Sequence, residues 1–328
     1  MAALLRPPIA LGNPLLLFTL FIVCTLALLF DCLLGEPRRF HPLVGFGRIV
    51  SAVEKICNTH PERPWQSLLA GSAALLLVTL PIVALAVWIS IVLAGIWLIV
   101  VQAIALWLAI SLRGLTEHGR AVANPLQHGN LDNARDHVSR IVSRQASALD
   151  EQGVAAAATE SMLENGADAV FASLFWLLIA GVPGVVLHRL VNTLDAMWGY
   201  RSSQFLYFGR AAARLDDILG WLPARLTALT YTLLGNSKIA LQCWRTQAQQ
   251  WDSPNAGPVM AAGAGALNVR LGGPSPYPSG IKQRPILGGT QPANAASIEA
   301  AIALVRHGTW LWLATLFMLS GVFYMLGY

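Results

Sequence analysis

The chain has 328 residues, 12% of them charged against about 25% in soluble domains, and 55% hydrophobic with 28 glycines besides. This composition excludes an ordinary water-soluble enzyme, a disordered chain, a collagen-like chain and a disulfide-rich scaffold. The net charge of +5 is spread over the polar segments without the Lys/Arg runs of a nucleic-acid surface, so anionic small molecules and a lipid bilayer are the expected partners and nucleic acid is not.

A bilayer core of about 30 Å needs about 20 helical residues. Charge is absent from residues 7–30, 64–112, 169–187 and 308–328, and lipid explains these runs best. Arg6 followed by an apolar run looks like a signal peptide, but the run is long and ends at Phe30-Asp31-Cys32 without a small-residue cleavage pattern. The spacing predicts an uncleaved first span over 14–34. Beyond it, Asp31 and His41 either line a polar site at the membrane interface or mark the end of the span.

Arg38, Arg39, Arg48, Lys55 and Arg63 in the next connection place it in the cytoplasm by the positive-inside rule, with the N-terminus outside. Residues 66–112 read as a helical hairpin turning near 88–95, with Pro81 tolerated as a kink. The chain then returns to the same side, where Arg113, Arg120, Arg135, Arg140 and Arg144 agree with a cytoplasmic and membrane-embedded region over 113–305. Cys24, Cys32, Cys57 and Cys243 form no zinc or disulfide pattern and read as reduced thiols.

Glu160, Glu164 and Asp168 stand at i, i+4 and i+8, one above another on a helix face. Such a stack is either a solvated face or a place for Mg²⁺ between carboxylates and phosphate. Residues 169–187 are long enough to span, yet Gly181, Pro183 and Gly184 interrupt them, which favours a re-entrant or buried helical hairpin. The alternative is a true span that returns through 221–235.

Further on come His188, Arg189, Asn192 and Asp195, then Arg201, Arg214, Asp216, Asp217 and Arg225. They suit phosphate contacts or buried ion pairs, and Asp216-Asp217 serves equally as a helix-end feature before Pro223. Ser253-Pro254-Asn255-Ala256-Gly257 leads into small residues 261–266 and Arg270, a close helix crossing or a ligand approach. Residues 271–296, rich in Pro and Gly, read as a loop that acts as a lid or a linker. Residues 308–328 form the last span, belted by Trp310, Trp312, Tyr324 and Tyr328. No P-loop, HExxH or GxSxG sequence is present.

In this order the motifs resemble the CobD/CbiB family of membrane-bound adenosylcobinamide-phosphate synthases, over nearly the whole chain. The resemblance rests on Gly35, Pro37, His41 and Pro42, on Glu160-Ser161, Glu164-Asn165 and Asp168, on Asn192-Thr193-Leu194-Asp195 with Gly199-Tyr200-Arg201, on Asp216-Asp217 with Pro223-Ala224-Arg225-Leu226, and on Ser253 to Gly257. It implies an all-α, polytopic integral membrane protein of four to five spans, a single domain over 1–328 with its active site facing the cytoplasm at the cell inner membrane. It also implies ATP-dependent amide ligation of adenosylcobyric acid with aminopropanol or its phosphate, through an acyl phosphate.

Under that reading Glu160, Glu164, Asp168, Asp195, Asp216, Asp217 and His41 are the catalytic candidates, with Mg²⁺ on Glu160, Glu164, Asp216 and Asp217. Arg189, Asn192, Arg201, Arg214, Arg225, Asn255, Arg270 and Asn165 are the substrate and phosphate candidates. Either a carboxylate or His41 takes the amine proton. Cobalt enters only with the corrinoid, which a cavity under the 271–296 loop would hold, and other enzymes of the pathway are further partners. Ser143-Arg144-Gln145-Ala146 departs from the usual Gly-Arg-Asp-Thr, Gly220 from Asn, Ser173 from Pro, and Pro258-Val259 from Trp-Pro. A transporter and a non-catalytic scaffold of the corrinoid pathway are the rival classes.

Overall fold

The computed structural model describes residues 13–37, 41–277 and 280–326, so Arg6, Arg38, Arg39 and Tyr328 of the orientation and belt arguments lie outside the described residues. In chain order the helices are α1 (Pro14–Leu34), α2 (Pro42–Cys57), α3 (Pro64–Val92), α4 (Gly95–Ala109), α5 (Leu112–Gln127), α6 (Leu131–Val138), α7 (Glu151–Asn165), α8 (Ala172–Trp198), α9 (Arg210–Leu234), α10 (Ser237–Gln247), α11 (Ala256–Ala266) and α12 (Ala295–Met325). Between α11 and α12 lie four short strands, β1 (Arg270–Gly272), β2 (Ser275–Tyr277), β3 (Gly280–Lys282) and β4 (Ile286–Gly288). Of the described residues 77% are helical. Five stretches are long and apolar enough to cross a membrane: Pro14–Leu34, Pro64–Val92, Gly95–Gln127, Glu151–Trp198 and Ala295–Met325. This is the all-α, polytopic membrane fold expected, since a helix satisfies its own backbone in lipid.

Local chemistry sets the helix ends. The Asn13 side chain accepts from the Leu15 and Leu16 N–H groups, and Pro14 supplies a φ suited to the first turn. α3 and α4 are joined through Leu93 and Ala94, inside the expected window, with Gly95 entering α4 at φ +58; both pack against α8, with α3 also on α2 and α4 also on α1. In α8 the helical path breaks at Gly181 (φ 60, ψ −147), two residues before Pro183. Val182, Gly184 and Val185, just after the break, are buried, while Gly181 itself is half-buried.

The last helix begins at Ala295, ahead of the charge-free run, and carries Glu299 and Arg306 before it. Two expectations need correction. Residues 271–296 are not loop throughout: β1 pairs with β4, and β2 with β3, both antiparallel. Three-residue strands are too short to show an alternating pattern, and their Pro and Gly serve the turns. Finally, Glu160, Glu164 and Asp168 do not continue one α-helical face. The chain makes a π-helical turn over Gly166–Phe171, whose wider spacing takes Asp168 off the i+4 row.

The fold divides into two compact units: residues 1–111, 172–219 and 313–328 form the first, and 112–171 with 220–312 the second. In the first, Phe46 and Val50 of α2, Ala74, Leu75 and Val78 of α3, and Leu190, Leu194 and Trp198 of α8 pack with Phe208. The Trp198 and Phe208 rings meet edge-on at 4.9 Å, and a Cβ at Gly209 would fall 1.8 Å from the Trp198 carbonyl oxygen. In the second unit, α11 is buried along its length and packs against α10 and α7. Its small residues permit this: Gly263 faces Leu163 and Tyr231, and Gly265 faces the Ala240 backbone.

Candidate functional site

The first unit brings together residues from α8 and α9. Arg189, Asn192 and Asp195 recur every three residues, hence on one face of α8. Arg189 donates through Nη1 to Asn192 Oδ1 at 3.4 Å, and Asn192 donates through Nδ2 to Asp216 Oδ1 at 3.4 Å. This sequence of donors orients the Asn192 amide with its NH₂ toward the Asp216 carboxylate. A Cβ at Gly199 would fall 2.1 Å from Asp195 Oδ1, so the Asp195 carboxylate folds over the end of α8 where only glycine leaves room.

Like charges in this cluster act on one another. Burial, then Asp195, pushes the Asp216 carboxyl up to about 7, with Asp217 adding to the rise and the Asn192 hydrogen bond opposing it. Burial also raises Asp217, against the opposing guanidinium groups of Arg214 and Arg201. Arg214 Nη1 stands 4.0 Å from Asp217 Oδ2 and is well exposed, an ion pair of little energetic weight but well placed for an anion from solvent.

His41 has a different task. Its Nδ1 accepts from the Leu43 N–H at 3.2 Å, capping α2. Burial holds its pKa below the ordinary imidazole value, with Glu36 opposing and Arg189 reinforcing. The cap engages Nδ1 of the ring.

The second unit holds the other candidates, in different surroundings. Glu160 is buried and accepts from Arg284 Nη1 at 2.8 Å, Arg284 Nη2 at 3.3 Å and the Gly272 N–H at 2.9 Å; Arg144 donates to it as well. Glu164 lies in the electrostatic reach of Glu160 and both arginines. Asn165 donates back to the Ser161 carbonyl and hydroxyl at 2.9 and 3.0 Å, and so closes on its own helix. Asp168 neighbours Tyr231, whose hydroxyl donates to the Leu163 carbonyl at 3.0 Å.

Arg225 and Asn255, both expected to bind substrate, bind each other. Arg225 Nη1 donates to Asn255 Oδ1 at 2.9 Å and Nη2 to the Pro254 carbonyl at 3.0 Å, while the guanidinium lies 4.4 Å from the Trp221 ring centroid. A Cβ at Gly220 would fall 2.7 Å from Asn255 Nδ2, so the departure at this position makes space for the Asn255 amide. Arg270 is exposed on β1. Of the residues engaged here, Arg144 is the one position that keeps the family's usual residue in the segment Ser143-Arg144-Gln145-Ala146, whereas Arg284, within the 271–296 segment, carries no periodic or motif signal.

Among the described residues no group of three or more His, Cys, Asp or Glu side chains is spaced to hold a metal ion. Magnesium commonly takes one or two carboxylates and completes its shell with water and substrate phosphate, so one or two of Asp195, Asp216 and Asp217, whose charges act on one another, would be the carboxylates to hold it. A cavity of about 660 Å³ in the second unit, bordered by Leu126, Leu131, Asp150 and Glu151 among others, contains none of the candidates.

The chain matches the CobD/Cbib protein family over residues 24–305. It is 55% identical over 291 residues to the cobalamin biosynthesis protein CobD of Stutzerimonas stutzeri, covering 88% of this chain and 94% of that one. The protein of the same name from Chromobacterium violaceum is 53% identical over 294 residues, 88% and 93% of the two chains, and that of Rhodobacter capsulatus 38% over 285 residues, 84% and 90%. No solved structure matches the chain.

Proposed function

The chain belongs to the CobD/Cbib protein family, and on that premise we propose that it acts in cobalamin biosynthesis as an ATP-dependent amide ligase, joining adenosylcobyric acid to aminopropanol or its phosphate. The observation that carries this reading is the cluster of Asp195, Asp216 and Asp217, with Asn192 and Arg189 behind it. A carboxylate does not react with an amine at neutral pH. Transfer of the ATP γ-phosphoryl group to the corrinoid carboxylate would give an acyl phosphate. The amine nitrogen then bonds to the acyl carbon, the carbon–oxygen bond to phosphate breaks, and the nitrogen gives up a proton.

Each residue of the cluster has a place in that sequence. Asp216 and Asp217 are the carboxylates that would hold Mg²⁺, which when bound neutralises phosphate charge. Arg201 and Arg214 attract the polyphosphate from the solvent side, and Arg189 keeps Asn192 aimed at Asp216. Asp195, the remaining carboxylate, takes the amine proton. Arg270 is the candidate in the second unit for a substrate carboxylate or phosphate. The basic connections favour the cell inner membrane with the site on the cytoplasmic face.

Detergent-solubilised protein incubated with adenosylcobyric acid, aminopropanol phosphate or aminopropanol, ATP and Mg²⁺ tests the reading, with the corrinoid product followed by mass spectrometry. A new amide is expected, formed roughly 10²–10³-fold more slowly by Asp216→Asn, the usual range for loss of one charge-stabilising group. A folded sample that consumes no ATP and forms no amide with either amine would leave a non-catalytic role.

A further inference from the structure

We infer that Glu160 is a positioning residue that fastens the β1–β4 ribbon to α7 through Arg284 and Arg144, and that it holds no magnesium. The ribbon needs such an anchor. Each of its strand pairs is three residues long, and an isolated two-stranded hairpin is marginal in water. The path from β1 to β2 runs through Gly272 (φ +78) and Gly273 (φ +76), conformations that side chains resist, and a Cβ at Gly272 would fall 2.0 Å from the Pro285 carbonyl oxygen. Backbone pairing alone does not fix these segments.

The polar contacts of the ribbon converge on one carboxylate. Arg284, just before β4, spends two N–H groups on Glu160, one on Ser275 Oγ at 2.9 Å and one on the Gly273 carbonyl at 3.3 Å. Its guanidinium carbon lies 5.3 Å from the Trp251 ring centroid. The Gly272 N–H reaches the same carboxylate, and the Gln145 N–H donates to the Pro276 carbonyl at 3.0 Å beside Arg144, which also bonds Tyr277. Glu160, Arg144 and Arg284 have side chains only 4%, 8% and 7% exposed. A carboxylate offers about four lone-pair sites, and the four donors from Arg284, Arg144 and Gly272 fill them. Nothing remains for a metal ion, and the surrounding charge is positive.

Holding Gly272 also holds Arg270 two residues earlier, on the exposed side of β1. The kinetic arm of the test below rests on the ligase reading; its proteolytic arm does not. Lys282, exposed on β3 and paired with Asp252 at 2.6 Å, offers a tryptic site that reports how firmly the ribbon is held.

Glu160→Gln and Arg284→Gln are expected to speed cleavage after Lys282 by roughly tenfold or more, since proteolysis follows local opening. Both should raise the KM for the corrinoid and leave the Mg²⁺ concentration for half-maximal rate unchanged. A metal ligand predicts the reverse: Glu160→Gln would shift the Mg²⁺ requirement, and Arg284→Gln would not share its phenotype. Unchanged cleavage in both variants, or a raised Mg²⁺ requirement in Glu160→Gln alone, overturns the proposal. If Glu160→Gln does not fold, Arg284→Gln decides by cleavage rate, because its side chain belongs to the ribbon. Should the wild type form no amide, the ligase reading fails while the cleavage rates still decide the anchor.

Discussion

Asp216 joins the chemistry of the site to the stability of the protein. Burial and Asp195 push its carboxyl up to about 7 from an ordinary value of 3.8, so the folded state binds this proton more tightly than the unfolded one. The contribution to stability is therefore complete below about pH 4 and is lost as the pH rises through about 7. In Mg²⁺-free buffer Asp216→Asn should be as stable as the wild type at low pH and more stable at pH 8, by on the order of 1–3 kcal/mol. Thermal unfolding across pH reads this, and a gap that does not change with pH would refute it. Mg²⁺ at pH 8 should raise the Tm of the wild type more than that of the variant, because only a site with its carboxylate gains from the ion. At Gly220 the structure explains what the sequence left as a departure: Gly220→Asn would drive into the Asn255 amide and should cost on the order of 1 kcal/mol by breaking its bond to Arg225, measured by the same unfolding assay.

Helices and strands differed in how much of them could be read from the chain. Charge-free runs and the turn before Gly95 marked α1, α3 and α4 closely, because lipid acts on local composition. The break in α8 was also readable, since Gly181, Pro183 and Gly184 stand together. Gly181→Ala should destabilise the protein by about 1–3 kcal/mol, because φ 60 with ψ −147 is open almost only to glycine. Gly199→Ala should displace the Asp195 carboxylate and, because its Cβ would also fall 2.6 Å from the Asp195 carbonyl oxygen, loosen the end of α8, with a loss of amide synthesis of roughly 10²-fold or more and a lowered Tm. The π turn at Gly166–Phe171 and the paired three-residue strands left no pattern to find, since both arise from tertiary packing and not from local preference.

For the whole molecule, five long apolar helices make this a membrane protein, and the basic residues of the connections give its orientation a test. Single cysteines at the exposed positions Lys55 and Arg140, in a background without the native cysteines, should resist a membrane-impermeant thiol reagent in intact cells and react after permeabilisation. Labelling of both from outside would reverse the proposed orientation. The membrane class, the helix change near 93–95, the broken helix and the identity of the polar motifs were determined by the chain itself, because charge density and apolar run length act wherever the residues sit. The partners of each carboxylate were decided only by tertiary structure. Arg284 stands 124 residues from Glu160 and Asp216 24 from Asn192, and no local spacing tells a carboxylate held by two buried arginines from one raised by its acidic neighbours. Burial and distant charges set that difference, and both exist only once the chain has folded.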